Sequence, residues 1–374
     1  MKKNVVLFCI AILMMSLLFA CSKSATNNIE NRENQNVKTE KTGEAGSETF
    51  QFTDSVGRSV ELPANIEKIV PSAGLAQMVL YTIAPEKLAG LATALSDEQK
   101  EFVNEEYWSL PVFGQFHGDN FNLEAIVSID PDVIIDIGEA KSDIKESIDE
   151  IQEKTGIPTI FIEATLDSTP EMYKTLGKLL KEEERAAKLA AFTEEILDLA
   201  ETNKGLITDK NRVSLYYGSG DKGLNTNAAG SFHLEILDYL GIENAAVLDE
   251  IASKGGGNEI SMEQLMIWNP DIILLNDKNV FENVASGKEP SWQELTAVQN
   301  GQVYLVPNAP YNWIGFPPSV NRIIGMNWLG NLVYPELYAY DLKEKVKEYY
   351  SLFYHYELTD EEAKQLLDQA TKGD

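Results

Sequence analysis

The sequence predicts an α/β fold of two similar lobes, each built on a parallel central sheet, joined by one long α-helix. Three observations support this prediction. Strands and helices alternate along the chain, a helix–proline–strand segment occurs twice, and a charged run without glycine or proline lies between the two copies. At 374 residues the chain also exceeds what one hydrophobic core usually organises, so two domains are expected.

The repeated segment carries the same local signals in both copies. The copies read NLEAIVSIDPDVIID at residues 122–136 and SMEQLMIWNPDIILL at residues 261–275. Asn122 and Ser261 are good helix N-caps, and an acid two residues later suits the positive end of the helix dipole. The residue before each proline is pushed out of the α region, which ends the helix. The apolar run that follows is typical of a strand buried in a parallel sheet.

The N-terminus has the features of an export signal. Residues 1–20 begin with two lysines and continue in an apolar run that is too short for a membrane span, which predicts a signal peptide. The run ends in Leu-Phe-Ala-Cys21 and resembles the lipobox of bacterial lipoproteins, which implies cleavage before Cys21 and lipidation of its thiol. The alternative is an ordinary secretory signal with an incidental cysteine. The other cysteine, Cys9, lies inside the segment that would be removed, so no disulfide is expected.

The rest of the chain divides by composition into four parts. Residues 21–49 contain almost nothing to bury and are predicted to be a disordered tether. Residues 50–180 begin with an edge hairpin, then alternate strand and helix, and form the first lobe. Residues 181–204 are strong helix formers, and a helix of that length reaches about 30 Å, enough to connect two lobes. Residues 205–374 form the second lobe.

Composition and motifs argue against several classes of function. Lys and Arg number 31 against 59 Asp and Glu, for a formal net charge of −28. This balance argues against nucleic acid as a partner, because phosphate binding relies on clustered cations. No G-x-S-x-G, H-E-x-x-H, P-loop or C-x-x-C motif is present, so a cell-surface enzyme is a poor alternative.

The lipobox, the polar tether, the single helical connector and the acid-bearing repeat together resemble the substrate-binding proteins of ABC importers. The resemblance is to the class that binds iron–siderophore complexes, haem and cobalamin, and it covers residues 50–374. It implies two Rossmann-like lobes and a lipid-anchored protein at the extracytoplasmic face of the cell membrane. It also implies a metal chelate as transported ligand, no resident cofactor, and a permease with its ATPase subunits as partners. The segment at residues 311–322 is similar to one in an iron-transport subgroup.

Glu124 and Glu263 match the positions where this class places one glutamate per lobe to meet arginines of the permease. Each acid alone would be explained as a partner of its own helix dipole, worth about 0.3–1 kcal/mol. Two acids at equivalent positions of two lobes form a pair of charges at fixed separation. That pairing favours permease docking.

The ligand is expected beyond the carboxyl ends of the parallel strands, where the loops form the walls of a cleft between the lobes. Aromatic and amide side chains there suit a large, partly flat chelate with polar edges. Tyr311 and Trp313 stand out because their loop lies between prolines and asparagines. The candidates are Ser72, Gly74, Gln115, Phe116, His117, Gly138 and Glu163 from the first lobe, and Tyr217, Asn225, Asn276, Tyr311, Asn312 and Trp313 from the second.

The charged residues leave the ligand open. Arg322 is a further candidate, able to hold an anionic chelate, although a surface salt bridge explains it equally well. His117 could ligate a haem iron or an open position of a chelate. A bare transition-metal site would need His117, His233 and a carboxylate such as Glu163 to converge, whereas His355 is expected at the surface. A tetrahedral oxyanion, molybdate or tungstate, is the leading alternative ligand.

Overall fold

Each half of the chain is built around a parallel sheet in the computed structural model, which describes residues 48–116, 118, 120–252 and 256–372. The predicted signal peptide, Cys21 and nearly all of the predicted tether lie outside the described residues, and so does His117.

The first lobe begins with an antiparallel hairpin and continues as a parallel α/β unit. Its strands are β1 (Thr49–Thr53), β2 (Ser59–Pro63), β3 (Ile69–Pro71), β4 (Val133–Gly138) and β5 (Thr159–Glu163). Its helices are α1 (Gly74–Ile83), α2 (Asp97–Lys100), α3 (Leu123–Ile129), α4 (Ile144–Thr155) and α5 (Thr169–Leu180). Strands β3, β4 and β5 pair in that order and in parallel, and all of β4 is buried, as the apolar run predicts. Leu88 and Leu91 make only isolated bridges, to Ile69 and Val112.

The connector is the helix α6 (Glu183–Lys204). Its 22 residues make it about 33 Å long, which agrees with the predicted length of the connector, about 30 Å. Leu189, Phe192 and Ile196 are buried at helical spacing, so the helix is packed along its length against the body of the protein.

The second lobe repeats the parallel arrangement. Its strands are β6 (Ser214–Gly218), β7 (Asn225–Thr226), β8 (Glu243–Asn244), β9 (Asn258–Glu259), β10 (Ile272–Leu275) and β11 (Val303–Leu305). Its helices are α7 (Glu235–Tyr239), α8 (Met262–Trp268), α9 (Lys278–Ala285), α10 (Thr296–Gln299), α11 (Asn321–Val333), α12 (Leu342–Tyr349) and α13 (Asp360–Leu367). The sheet order is β11–β10–β6–β8, all parallel, while β7 and β9 form a separate antiparallel pair. The two-lobed α/β architecture and its helical connector are thereby confirmed.

The repeat folds alike in the two lobes. The side chain of Asn122 accepts a hydrogen bond from the amide of Ala125 (3.0 Å), and that of Ser261 accepts one from Gln264 (3.1 Å), so both predicted N-caps are formed. Both helices end at the residue before proline, as predicted. Both end in the left-handed region, with φ of 53° at residue 130 and 40° at residue 269, which aspartate and asparagine tolerate better than most residues.

One aspartate in each copy makes equivalent structural contacts, which were not predicted from the sequence. The carboxylate of Asp132 accepts hydrogen bonds from the amides of Glu67 (2.7 Å) and Lys68 (2.8 Å), just before β3. The carboxylate of Asp271 accepts from the amide and the hydroxyl of Ser214, both at 2.8 Å, at the start of β6. Each aspartate thus fixes the start of a central strand to its neighbour, and we call these contacts the strand-start clamps.

A C-terminal aromatic bracket, Tyr349, Tyr350, Phe353 and Tyr354, joins the lobes into one core. All four side chains are 2% exposed or less. The ring of Phe353 packs 6.1 Å from Tyr173 of α5 and 5.6 Å from Phe192 of the connector. The carbonyl of Tyr354 accepts a hydrogen bond from the Tyr81 hydroxyl of α1 (3.4 Å). The described residues accordingly form a single compact unit, with one hydrophobic cluster that spans both sheets.

The aromatic bracket also holds the second-lobe loop of residues 309–320. The hydroxyl of Tyr350 donates to the carbonyl of Ala309, and the hydroxyl of Tyr349 donates to that of Val320 (3.0 Å). The next residue, His355, was expected at the surface, but its ring is half-buried and its Nε2 lies 3.2 Å from the Tyr81 carbonyl. His355 is partly buried because it directly follows Tyr354, which is buried in the core.

Replacing Phe353 by alanine should lower the free energy of unfolding by about 3–5 kcal/mol, because it leaves a cavity where α5, the connector and the bracket meet. Phe50→Ala is the matched control: this phenylalanine is 39% exposed, and its loss should cost less than about 1 kcal/mol. Urea unfolding followed by circular dichroism and by tryptophan fluorescence measures both. Two separate transitions, one per lobe, would contradict a shared core.

Candidate functional site

The loops beyond the carboxyl ends of the two sheets meet in a cavity of about 350 Å³. The first lobe contributes Gly74, Thr93 and Gln115, and the second contributes Tyr311 and Asn312 among others. Four of these five residues were predicted from the sequence as cleft residues. The cavity therefore lies where parallel sheets usually bind ligands.

Three stacked rings of the second lobe lie at this cavity, and one of them, Phe316, lines it; we call the three rings the aromatic wall. The Phe316 ring lies 5.5 Å from the ring of Tyr217, at an interplanar angle of 9°, and 5.0 Å from that of His233, at 18°. Tyr217 is fully buried, whereas Phe316 and His233 are partly exposed, and Phe316 also lines the cavity. Phe316 is the member of the wall that lines the cavity, and His233 is its polar neighbour.

His233 is held in a defined orientation and protonation state. Its Nδ1 lies 2.9 Å from the carbonyl of Gly315, and since a carbonyl oxygen only accepts, Nδ1 carries the proton. Burial lowers the pKa of His233, and the nearby positive charge of Arg322 lowers that pKa further. The ring is then neutral at pH 7, with the lone pair on Nε2 available to accept a hydrogen bond or to ligate a metal. A Cβ at Gly315 would come within 2.1 Å of the His233 carbonyl, so only glycine fits there.

Asn312 lines the cavity, and its side-chain amide is engaged within the protein. Its Oδ1 accepts from the amides of Ile314 (2.9 Å) and Gly315 (3.1 Å), and its Nδ2 donates to Asn276 (2.6 Å). The residue is 1% exposed. Asn312 therefore fixes the loop and orients Asn276, another predicted cleft residue.

Trp313, predicted as an aromatic of the cleft, is a core residue instead. Its side chain is fully buried and packs 6.3 Å from the ring of Trp328 in α11. The flanking prolines and asparagines do mark a loop, but that loop is folded against the core. Tyr311, two residues earlier, does line the cavity.

Arg322 is buried and already paired, which corrects the expectation of a surface salt bridge. It is 1% exposed, its Nη1 lies 2.8 Å from Glu235 Oε2, and its guanidinium lies 4.6 Å from the centre of the Phe232 ring. Burial lowers the pKa of Arg322, and Glu235 opposes this shift by favouring the charged form. The other Glu235 oxygen accepts from the amide of Leu166 in the first lobe (3.4 Å). The pair thus ties the lobes together, and its positive charge is compensated within the protein.

Some of the candidates from the first lobe make structural contacts, and others lie at the edge of the cleft. Ser72 is buried, and its hydroxyl hydrogen-bonds to the carboxylate of Asp136 in β4. Phe116 packs edge-on against Phe121, at 5.7 Å. Three further candidates do not line the cavity: Gly138 and Glu163 end β4 and β5, and Asn225 lies in the β7–β9 pair.

The two acids of the repeat are solvent-exposed on the first turns of α3 and α8. Within the described part of the chain, neither Glu124 nor Glu263 is within ion-pair distance of a cation. Its own backbone amide and Ser261 lower the pKa of Glu263, which keeps that carboxylate ionised. Both acids are thus available to a partner.

Residues 72–310 match the family model described as periplasmic binding protein. The chain belongs to the periplasmic binding protein family. An ABC transporter solute-binding protein from Sulfurospirillum deleyianum has the same fold, with a TM-score of 0.78 and 33% identity over 85% of this chain and 99% of that one. These proteins bind solutes for ABC importers and are not enzymes, so the chain is a substrate-binding protein that works with a permease and its ATPase.

Two relatives of this periplasmic binding protein have different ligands in their names. The molybdate-binding protein MolA of Haemophilus influenzae is 24% identical over 81% of this chain and 90% of its own length. The Fe(3+)-citrate-binding protein YfmC of Bacillus subtilis is 34% identical, but over only 49% of this chain and 56% of its own length. The similarities therefore establish the class of the protein and leave its ligand open.

The described residues of this periplasmic binding protein contain no group of three or more His, Cys, Asp and Glu side chains placed to hold a metal ion. The bare-metal site of His117, His233 and Glu163 stays a prediction, because His117 lies outside them. Over the described ranges, no helix is long and apolar enough to cross a membrane.

Phe316 was not predicted as a cleft residue from the sequence. Its place between glycine and proline, in the segment similar to the iron-transport subgroup, was a signal that could have identified it.

Histidine titration by NMR tests the geometry of the aromatic wall. The His233 ring should titrate below 6.5, and at pH 7 its nitrogen shifts should report the tautomer protonated at Nδ1. A lowered pKa means that the unfolded chain binds the proton more readily, so this residue should reduce stability as the pH falls through 6.5. His233→Asn assigns the resonance. A midpoint above 6.5, or a proton on Nε2, would rule out the proposed environment.

Proposed function

We propose that this protein captures a metal chelate of the iron–siderophore, haem or cobalamin type in the interlobe cleft and delivers it to the permease of an ABC importer. The observation that carries the proposal is the aromatic wall, in which Phe316 lines the cavity and the partly exposed ring of His233 stacks on it. Flat rings bury a large area against a conjugated or ring-bearing ligand, and the His233 nitrogen adds a polar or metal-ligating contact.

The charge of the cleft supports a chelate of low net negative charge. Among the described residues, no lysine or arginine lines the cavity, and Glu98 adds a carboxylate to it. Arg322 is compensated by Glu235, so it brings no free positive charge. A volume of about 350 Å³ is within the usual range for small-molecule sites and exceeds what a single oxyanion fills.

Molybdate or tungstate is the second candidate ligand, favoured by the similarity to MolA over most of both chains. An oxyanion would need several convergent hydrogen-bond donors. Thr93, Ser96 and Gln99 line the cavity and carry such groups, but they are neutral. We rank the oxyanion second because these donors lack a partnering cation.

We also infer that the protein is held at the extracytoplasmic membrane surface through a lipid on Cys21. The inference rests on the lipobox-like sequence and on the polar composition of residues 21–49. A lipid anchor leaves the folded lobes outside the membrane, where both the ligand and the permease are accessible.

Native mass spectrometry with metal analysis of the protein purified from its own cells should find an organic chelate with its metal. Phe316→Ala should purify largely without it, because the central ring of the wall is lost. Phe52→Ala, a partly buried phenylalanine of the β1–β2 hairpin, should keep it. Bound molybdenum or tungsten would support the second candidate instead, and stoichiometric zinc without an organic molecule would support a bare-metal site.

Replacing both Glu124 and Glu263 by alanine should abolish cellular uptake of the ligand while leaving its affinity for the purified protein unchanged. The acids lie on α3 and α8, whereas the ligand is expected at the carboxyl ends of the strands. The matched control is Glu153→Ala with Glu282→Ala, two exposed helical glutamates, one in each lobe. A loss of ligand affinity in the first double variant would reject the docking assignment.

A further inference from the structure

Two exposed apolar side chains lie on the same short helices as the acids of the repeat. Val127 of α3 is 46% exposed, and Ile267 of α8 is 76% exposed, the highest value for a large hydrophobic residue in the described part of the chain. Scattered apolar residues are normal on a protein surface, but one beside the acid of each repeat helix requires an explanation.

Helix geometry places each apolar side chain beside an acid. Val127 follows Glu124 by three residues and Ile267 follows Glu263 by four, and both spacings bring side chains together on one face of a helix. The opposite faces of the same helices are anchored by Ile126 and Leu265, which are fully buried. The acid and its apolar neighbour therefore face away from the protein in both lobes.

The two helices present nearly the same surface. From N-cap to proline, residues 122–131 and 261–270 have the same degree of exposure at nine of ten positions. The one position that differs pairs Val127, which is exposed, with Met266, which is half-buried. In the second copy the exposed apolar residue is the next one, Ile267. The fold does not need these side chains, since neither contributes to a buried cluster.

We propose that Val127 and Ile267, together with Glu124 and Glu263, form a two-part docking surface for the permease. The apolar side chains are buried at the contact, and the acids lie beside them and meet basic residues of the permease. This division follows the usual anatomy of an interface, with an apolar centre and a charged rim that guides association. The proposal rests on the importer role proposed above and adds the part of the surface that holds the complex together.

Charge selects the permease over a second copy of this chain as the occupant. The net charge is −28, and each apolar residue has an acid beside it. A symmetric contact between two copies would bring these acids toward each other and repel. A partner with apolar pockets flanked by arginine or lysine has no such conflict.

The test is binding of the full chain to its permease–ATPase complex in lipid nanodiscs, measured by biolayer interferometry at several salt concentrations. Val127→Ser with Ile267→Ser should weaken binding at least about tenfold, through faster dissociation and with unchanged salt dependence. The Glu124→Ala, Glu263→Ala variant should instead slow association and reduce the salt dependence. Leu206→Ser and Val247→Ser, at 57% and 67% exposed positions elsewhere, are the matched controls and should bind as the wild type does.

Each outcome decides the proposal. If the serine double variant binds like the controls while the alanine double variant is weakened, docking depends on the acids alone and this inference is wrong, although the importer role stands. If the wild-type chain does not bind the complex, both proposals fail. Sedimentation that reveals a dimer broken by Ile267→Ser would reassign the surface to self-association. Unchanged melting curves of the serine variants establish that folding is intact.

Discussion

Burial of the aromatic bracket is the constraint on which the rest of the structure depends. Phe353 and Tyr354 contact α1, α5 and the connector, so a segment near the C-terminus completes the core of the first lobe. The lobes are thus distinct in their sheets but continuous in their hydrophobic interior. A connector helix alone would leave two bodies free to rotate, whereas a shared core couples them.

The same bracket reaches the cleft. Tyr350 and Tyr349 bind the backbone at the two ends of the loop that carries Phe316 and Asn312. Asn312 then fixes the turn that brings Gly315 against His233. Hydrogen bonds therefore link the C-terminal core to the loop that carries the aromatic wall, and they set the shape of that loop.

Local chemistry made most of the fold predictable from the sequence. Capping by Asn122 and Ser261, the prolines that follow each repeat helix, and the charged connector all act over a few residues, and each is found where it was expected. The residues of the candidate site were harder to predict, because the burial of a side chain depends on contacts with residues that are distant in sequence. Trp313 is buried by Trp328, and Arg322 is neutralised by Glu235, and neither partner can be identified from spacing. The stack of Phe316 on His233 likewise joins residues 83 positions apart in the chain.

The strand-start clamps bear on the proposed docking of α3 and α8 to the permease. Asp132 ties the start of β4 to the segment before β3, and Asp271 ties the start of β10 to β6, so the strand after each of α3 and α8 is fixed within its own sheet. The shared core joins the two lobes, so the proposed docking helices would meet the permease as one rigid template. A permease that contacts only these two helices would bind the empty and the ligand-loaded protein equally well. Discrimination between them must then come from the rims of the cleft itself.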